Sequence, residues 1–165
     1  MGKKLDKVSV ITTFYNAEKF VLDAINSVNQ QIISGFELEY VLVDDKSPDN
    51  TRKLVEEFID KHVTNKKAWR IIEPEENLGC GGARKFGIDN ATGDYFMFLD
   101  ADDYYIKKDF ILRAYNEIKK EKADIVEFGM IMNHLNGQQV NNSAPQRFVI
   151  ENNPMGAEIA LFKDN

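Results

Sequence analysis

Cysteine is nearly absent: Cys80 is the only one among 165 residues, so neither an internal disulfide nor a cysteine-based zinc site can form. Histidine is almost as scarce, and His62 and His134 lack the spacing of metal ligands. No apolar run approaches the roughly 20 residues of a membrane span, and the opening MGKKLDKVSV has no apolar signal core. A soluble, cytosolic domain is therefore expected. Gly2 invites myristoylation, but Asp6 stands where that motif wants Ser or Thr. Basic residues are in deficit too, 21 Lys and Arg against 27 Asp and Glu for a net charge of −6, and they are scattered. That pattern argues against nucleic acid, which needs concentrated phosphate contacts. An anionic ligand would need help from a metal.

What remains is globular composition, 43% hydrophobic and 29% charged. A chain of this length makes one domain the default, burying about 70% of its unfolded surface. Val8 to Ile11 is a β-branched apolar run that suits a buried strand. Asn16 then reads as an N-cap, with Phe20, Val21, Ala24, Ile25 and Val28 at helical spacing up to Gln30, and Gly35 beyond. Leu38 to Val43 is a second strand. Ser47 with Pro48 predicts a helix start, and Leu54, Val55, Phe58 and Ile59 its buried stripe. Trp69 to Glu73 is a third strand, closed by Pro74. Glycine-rich Asn77 to Gly82 leads into a helix over Ala83 to Asn90. Tyr95 to Leu99 is a fourth strand, followed by a helix over Lys107 to Lys120 and a fifth strand over Asp124 to Met132. Asn136-Gly137 signals a hairpin with a weak strand at Val140, and Met155 to Phe162 a last helix. Strands alternating with helices predict a largely parallel sheet covered on both sides.

In such sheets ligands bind beyond the carboxyl ends of the strands. Thr12, Thr13 and Tyr15 follow the first strand, Asp44 and Asp45 the second, and Asp100, Asp102 and Asp103 the fourth. The acidic trio ends the run FLDADDYY, and two like charges about 4 Å apart cost about 4 kcal/mol at an effective dielectric near 20. A calcium loop is excluded, because Tyr105 and Ile111 stand where its Gly and Glu belong. Three readings stay open: helix capping in solvent, a Mg²⁺-dependent phosphoryl-transfer site, and carboxylates awaiting a divalent ion that bridges a ligand's phosphates. The last accounts best for three acids in four positions.

Asn77 to Lys85 lacks the Gly-Lys-Ser/Thr of a P-loop. Arg84 also stands where a dinucleotide fingerprint needs its third glycine. Glycines opening a helix still leave N–H groups for a phosphate, with Arg84 one turn in; a plain loop with a solvated arginine is the alternative. Asp44-Asp45 divides similarly between capping and acceptance of the imide N–H of a pyrimidine.

These segments together resemble the N-terminal nucleotide-binding half of family 2 glycosyltransferases. Val8 to Asn16 resembles the family's opening strand, and Val43-Asp44-Asp45-Lys46-Ser47 its acidic pair. Asn77, Gly79 and Ala83-Arg84 resemble its central motif, and Gly93 to Asp103 its DXD segment. The resemblance spans residues 7 to 132 and implies an α/β fold of the GT-A type, a three-layer α/β/α sandwich with a mostly parallel sheet. By that resemblance Thr13 and Tyr15 line the nucleoside pocket, Asp45 contacts the base, Arg84 sits near the nucleotide-sugar and Asp100 approaches ribose or sugar. Asp102 and Asp103 are its implied metal positions, for Mn²⁺ or Mg²⁺. The implied reaction is inverting transfer from a nucleotide-diphospho-sugar, a UDP-sugar above others, to a glycan or lipid-linked acceptor. A non-catalytic nucleotide-sugar-binding module is the alternative within the resemblance. Peripheral association with the inner face of a membrane follows only by analogy. The family's general base lies farther toward the C-terminus, and Glu151, Glu158 and Asp164 offer no convincing candidate. Residues 1–165 thus read as a single glycosyltransferase domain cut before its acceptor-binding part. Lys85 where Asn is common, Thr13 where Pro is frequent, and the rich Cys80-Gly81-Gly82 run depart from the family pattern.

Overall fold

The computed structural model describes residues 4–126, 130–133 and 139–142. Two compact units divide the chain, Met1–Leu112 and Arg113–Asn165. In the first, β1 (Asp6–Phe14), β2 (Phe36–Asp44), β3 (Trp69–Ile72) and β4 (Tyr95–Phe98) alternate with α1 (Val21–Asn29), α2 (Thr51–His62) and α3 (Gly79–Asn90). All pairings are parallel, in the order β3-β2-β1-β4. The chain steps outward from β1 through β2 to β3, then crosses back to place β4 on the other side of β1. The carboxyl ends of β1 and β4 therefore flank a topological switch point, where a crevice opens.

The two faces of the sheet can be assigned from side-chain contacts. Ile11 and Val43 lie on the face that meets α3, for a Cβ added to Gly87 would come within 2.6 Å of Ile11 Cγ2 and 3.2 Å of Val43 Cγ2. On the opposite face Tyr40 packs edge-on against Trp69, with ring centroids 4.6 Å apart, and Phe58 of α2 stacks on Trp69 at 6.2 Å. Tyr40 also shares a 2.8 Å hydrogen bond with Thr12 on that face. Covered on both sides, the central strands have no solvent face: Val10, Ile11, Tyr40, Val41, Leu42 and Val43 are fully buried.

Several boundaries differ from expectation, each for a local reason. Asn16 is not a cap; it has φ +54. The start of α1 at Val21 is set instead by the Ala17 carbonyl, which accepts the N–H groups of Phe20 and Val21 at 3.0 Å. Phe20, placed in the buried stripe by its spacing, is half exposed. Ser47-Pro48 does not open α2, because Asp44 Oδ1 takes the Ser47 N–H at 2.8 Å and Asp49 Oδ1 takes the Thr51 N–H at 3.1 Å. Those side-chain turns compete with the helix and delay it to Thr51. The glycine run is not a loop: α3 begins at Gly79. Strands β1 and β2 run beyond the predicted cores, and β3 and β4 each stop one residue earlier.

Helix α4 (Phe110–Glu121) starts later than predicted and buries Ile111, Ala114 and Ile118 at helical spacing. In the second unit β5 (Met130–Asn133) pairs antiparallel with β6 (Gln139–Asn142). Of the strand expected over Asp124 to Met132, Asp124 to Val126 are not in a strand, and Met130 to Met132 are. So short a return connection permits only antiparallel pairing. Asn136-Gly137, Met155 to Phe162, and Glu151, Glu158 and Asp164 lie outside the described residues.

Candidate functional site

An open cleft of about 570 Å³ lies at the carboxyl edge of the sheet, lined from the ends of β1, β2 and β4 and the start of α3. Thr13, Tyr15, Asp45, Asp100 and Asp102, expected from sequence, all line it. Two expected residues do not. Arg84 is not among the lining residues and is tied to the cleft through its ion pair with Asp100, at 2.5 Å, and Asp103 is not among them either.

Backbone hydrogen bonding fixes the two sides of the crevice: Asp45 N–H donates to Phe14 O at 2.9 Å and Leu99 N–H to Ile11 O at 3.0 Å. Beyond these last sheet bonds the side chains change from apolar to polar. Asp45 is buried, and its Oδ1 accepts the Leu78 N–H at 2.8 Å while its carbonyl accepts Asn77 Nδ2 at 2.7 Å. Asn77 Oδ1 in turn accepts the Gly79 N–H at 3.2 Å. The end of β2 is thereby tied to the start of α3. Gly79, at φ +69, makes the turn into the helix in the left-handed region that a side chain rarely adopts.

At the end of β4 the chain turns tightly, Asp103 N–H donating to Asp100 O at 3.0 Å. Asp100 is neutralised by Arg84, whose guanidinium carbon also sits 5.6 Å from the centroid of the Phe98 ring. Arg84 Nε is buried and has no partner among the described residues. Among the described residues neither Asp102 nor Asp103 has an ion-pair partner. Desolvation first, then the charges of Asp102 and Asp100, push the Asp103 carboxyl above its usual range. Among the described residues no group of three or more His, Cys, Asp or Glu side chains is arranged to hold a metal ion.

Sequence reasoning missed Asn16, Ala17, Phe20 and Ala101 as cleft residues, while Cys80 lies within the glycine-rich stretch it singled out. Phe20 could not have been found, since its position fits the apolar stripe of α1. Asn16 carried a signal that was misassigned: Asn tolerates both the cap and the left-handed conformation it adopts here.

A layered parallel sheet with a cleft at its switch point and an acidic turn after β4 is an open α/β architecture, and solved neighbours place it in the GT-A fold. The model of glycosyl transferase family 2 matches residues 9–153, and the chain belongs to that family. One similar protein is the poly(ribitol-phosphate) β-N-acetylglucosaminyltransferase TarS of Staphylococcus aureus, 33% identical over 83% of this chain and 23% of its own. A crystal structure of an S. aureus TarS fragment in complex with UDP-GlcNAc superposes with TM-score 0.66 at 33% identity, covering 83% of this chain and 37% of that one. The mannosyltransferase PcManGT of Pyrobaculum calidifontis, solved with GDP-Man and Mn²⁺, has TM-score 0.68 at 23% identity over 76% of this chain and 36% of its own, and attests the fold alone. The chain spans between 13% and 23% of the length of several curated relatives it matches, 23% in the case of TarS.

Proposed function

We propose that this domain binds the donor of a glycosyl transfer, a UDP-sugar, and that the protein it belongs to passes the sugar to a hydroxyl of a polymeric acceptor. One observation carries the reading: residues from three strand ends meet on a single cleft, Thr13 at the end of β1 and Tyr15 just after it, Asp45 after β2, and Asp100 and Asp102 after β4. The likeness to TarS, whose fragment is solved with UDP-GlcNAc, supports the donor class and a poly(alditol phosphate)-type acceptor.

The residues suit a nucleoside diphosphate. A buried carboxylate is acceptor-only and rewards a ring that presents an N–H, which fits Asp45 to a uracil imide. Tyr15, half exposed, offers an aromatic face at the cleft. Arg84 holds Asp100 in place and keeps an unused buried N–H on its guanidinium.

The acidic turn also fits a divalent cation. Among the described residues Asp100 alone of the three has an ion-pair partner, and the Asp103 carboxyl is raised by burial first and then by the charges of Asp102 and Asp100 beside it. Mg²⁺ and Mn²⁺ commonly take one or two carboxylates plus substrate phosphates, so Asp102, with Asp103 beside it, would hold the ion. When bound, such an ion supplies Lewis-acid neutralisation of the leaving diphosphate. Transfer proceeds with inversion in this reading, by in-line attack of an acceptor hydroxyl, and none of the described residues is assigned as its base.

A nucleotide panel tests the proposal. With Mn²⁺ present and ligand at a hundred times its dissociation constant, UDP should stabilise the domain by about 2.7 kcal/mol, raising its thermal midpoint by about 5–10 °C. UMP and GDP at the same concentration should fall well short. Equal shifts with all three, or phosphorylation of an aspartate by a small phosphodonor in intact-mass measurements, would overturn it.

A further inference from the structure

The loop after β1 carries Tyr15, Asn16 and Ala17 to the cleft, and it is held by a clasp outside the cleft. Three consecutive N–H groups are taken by side chains of the loop after β2 and of the first residue of α2: Asn16 by Ser47 Oγ at 3.3 Å, Ala17 by Thr51 Oγ1 at 2.9 Å and Glu18 by Asp49 Oδ2 at 3.2 Å. Glu18 Oε2 returns the contact by accepting the Asn50 N–H at 3.3 Å. The centre of the clasp is Thr51, fully buried, whose hydroxyl accepts from Ala17 and donates to Asp49 Oδ1 at 2.6 Å.

The clasp fixes one of the conformations open to the loop. Asn16 sits at φ +54, in the left-handed region that Asn tolerates better than other residues with a side chain but does not adopt by default. Ala17, immediately after it, is fixed at both ends, its N–H on Thr51 and its carbonyl on the first turn of α1. Ser47 and Thr51 belong to the connection that begins at Asp45, so the clasp joins the β1 and β2 walls of the same cleft. Cutting it frees the loop to leave the left-handed turn, and apparent affinity falls in proportion to the fraction of molecules still competent to bind.

We propose that Thr51 is a positioning residue for the nucleoside half of the donor, acting through the Ala17 N–H to hold the Tyr15–Ala17 wall in place. This rests on the nucleotide-sugar reading given above. It predicts an effect restricted to one end of the ligand, which a general loss of stability would not produce.

The test is calorimetric titration of UDP and of inorganic diphosphate, each with Mn²⁺, into wild type, Thr51→Val and Thr51→Ser well below their melting temperatures. Thr51→Val, equal in shape but without the hydroxyl, should weaken UDP about five- to tenfold and leave diphosphate unchanged, while Thr51→Ser stays within about twofold of wild type. Should Thr51→Val not fold, Ser47→Ala cuts the outer strand of the same clasp and should give a smaller loss of the same selectivity. Undiminished UDP binding in a folded Thr51→Val, or equal loss of UDP and diphosphate, overturns the inference alone. Absence of saturable UDP binding to wild type overturns the nucleotide reading beneath it.

Discussion

Glu39 shows at the scale of one residue how a charge can be built into a parallel sheet. It sits in β2 on the face that meets α3, 7% exposed, and its carboxylate accepts from Ser9 Oγ at 2.6 Å, Thr92 N–H at 2.7 Å, Thr92 Oγ1 at 3.0 Å and Arg70 at 2.9 Å. Burial pushes the carboxyl up, but the Ser9 and Thr92 donors and the charge of Arg70 outweigh it and hold the group below its usual range. A depressed folded value stabilises the protein above the ordinary value of 4.5 and loses that stabilisation as pH falls through the folded one. Urea unfolding should therefore show Glu39→Gln less stable by about 1–3 kcal/mol at pH 7, with the gap narrowing below pH 4.5. A gap that is constant with pH would contradict the assignment. Single residues of the cleft were legible where they follow a strand end, as Tyr15, Asp45 and Asp102 do. Glu39 was not legible, since its partners lie 30 and more residues away in sequence.

At the scale of the element, α3 is the helix whose sequence misleads most. Glycine in a helix interior costs about 1 kcal/mol relative to Ala, so Gly79, Gly81 and Gly82 read as a loop, yet the helix includes all three. Tertiary ties outweigh propensity here: Asp45 and Asn77 anchor the first turn, and Gly87 lets the helix lie close on Ile11 and Val43. The two kinds of glycine should part under mutation. Gly87→Ala puts a methyl 2.6 Å from Ile11 Cγ2, and overpacking of this kind costs about 1–3 kcal/mol, more than the propensity gained. Gly81→Ala meets nothing within 4 Å and should stabilise by about 0.5–1 kcal/mol. Denaturant midpoints read both, and a stabilised Gly87→Ala would show that the helix stands farther from the sheet. Helix starts were the least legible boundaries overall, because Asp44, Asp49 and the Ala17 carbonyl set them through contacts no local pattern reveals.

At the scale of the molecule, the alternation of strands and helices was enough to predict a parallel sheet with its polar residues gathered at one edge. The order β3-β2-β1-β4 was not; periodicity says which segments are strands, not which are neighbours. That order puts the acidic turn after β4 beside the loop after β1, and the proposed diphosphate and metal site depends on it. Titration of UDP into wild type and Asp102→Ala, each with Mn²⁺ and with EDTA, tests this most directly. The account predicts that Mn²⁺ tightens UDP at least about tenfold in wild type, or 1.4 kcal/mol, and contributes nothing in Asp102→Ala, whose EDTA affinity matches wild type. An equal Mn²⁺ gain in both proteins, or no gain in wild type, would contradict it.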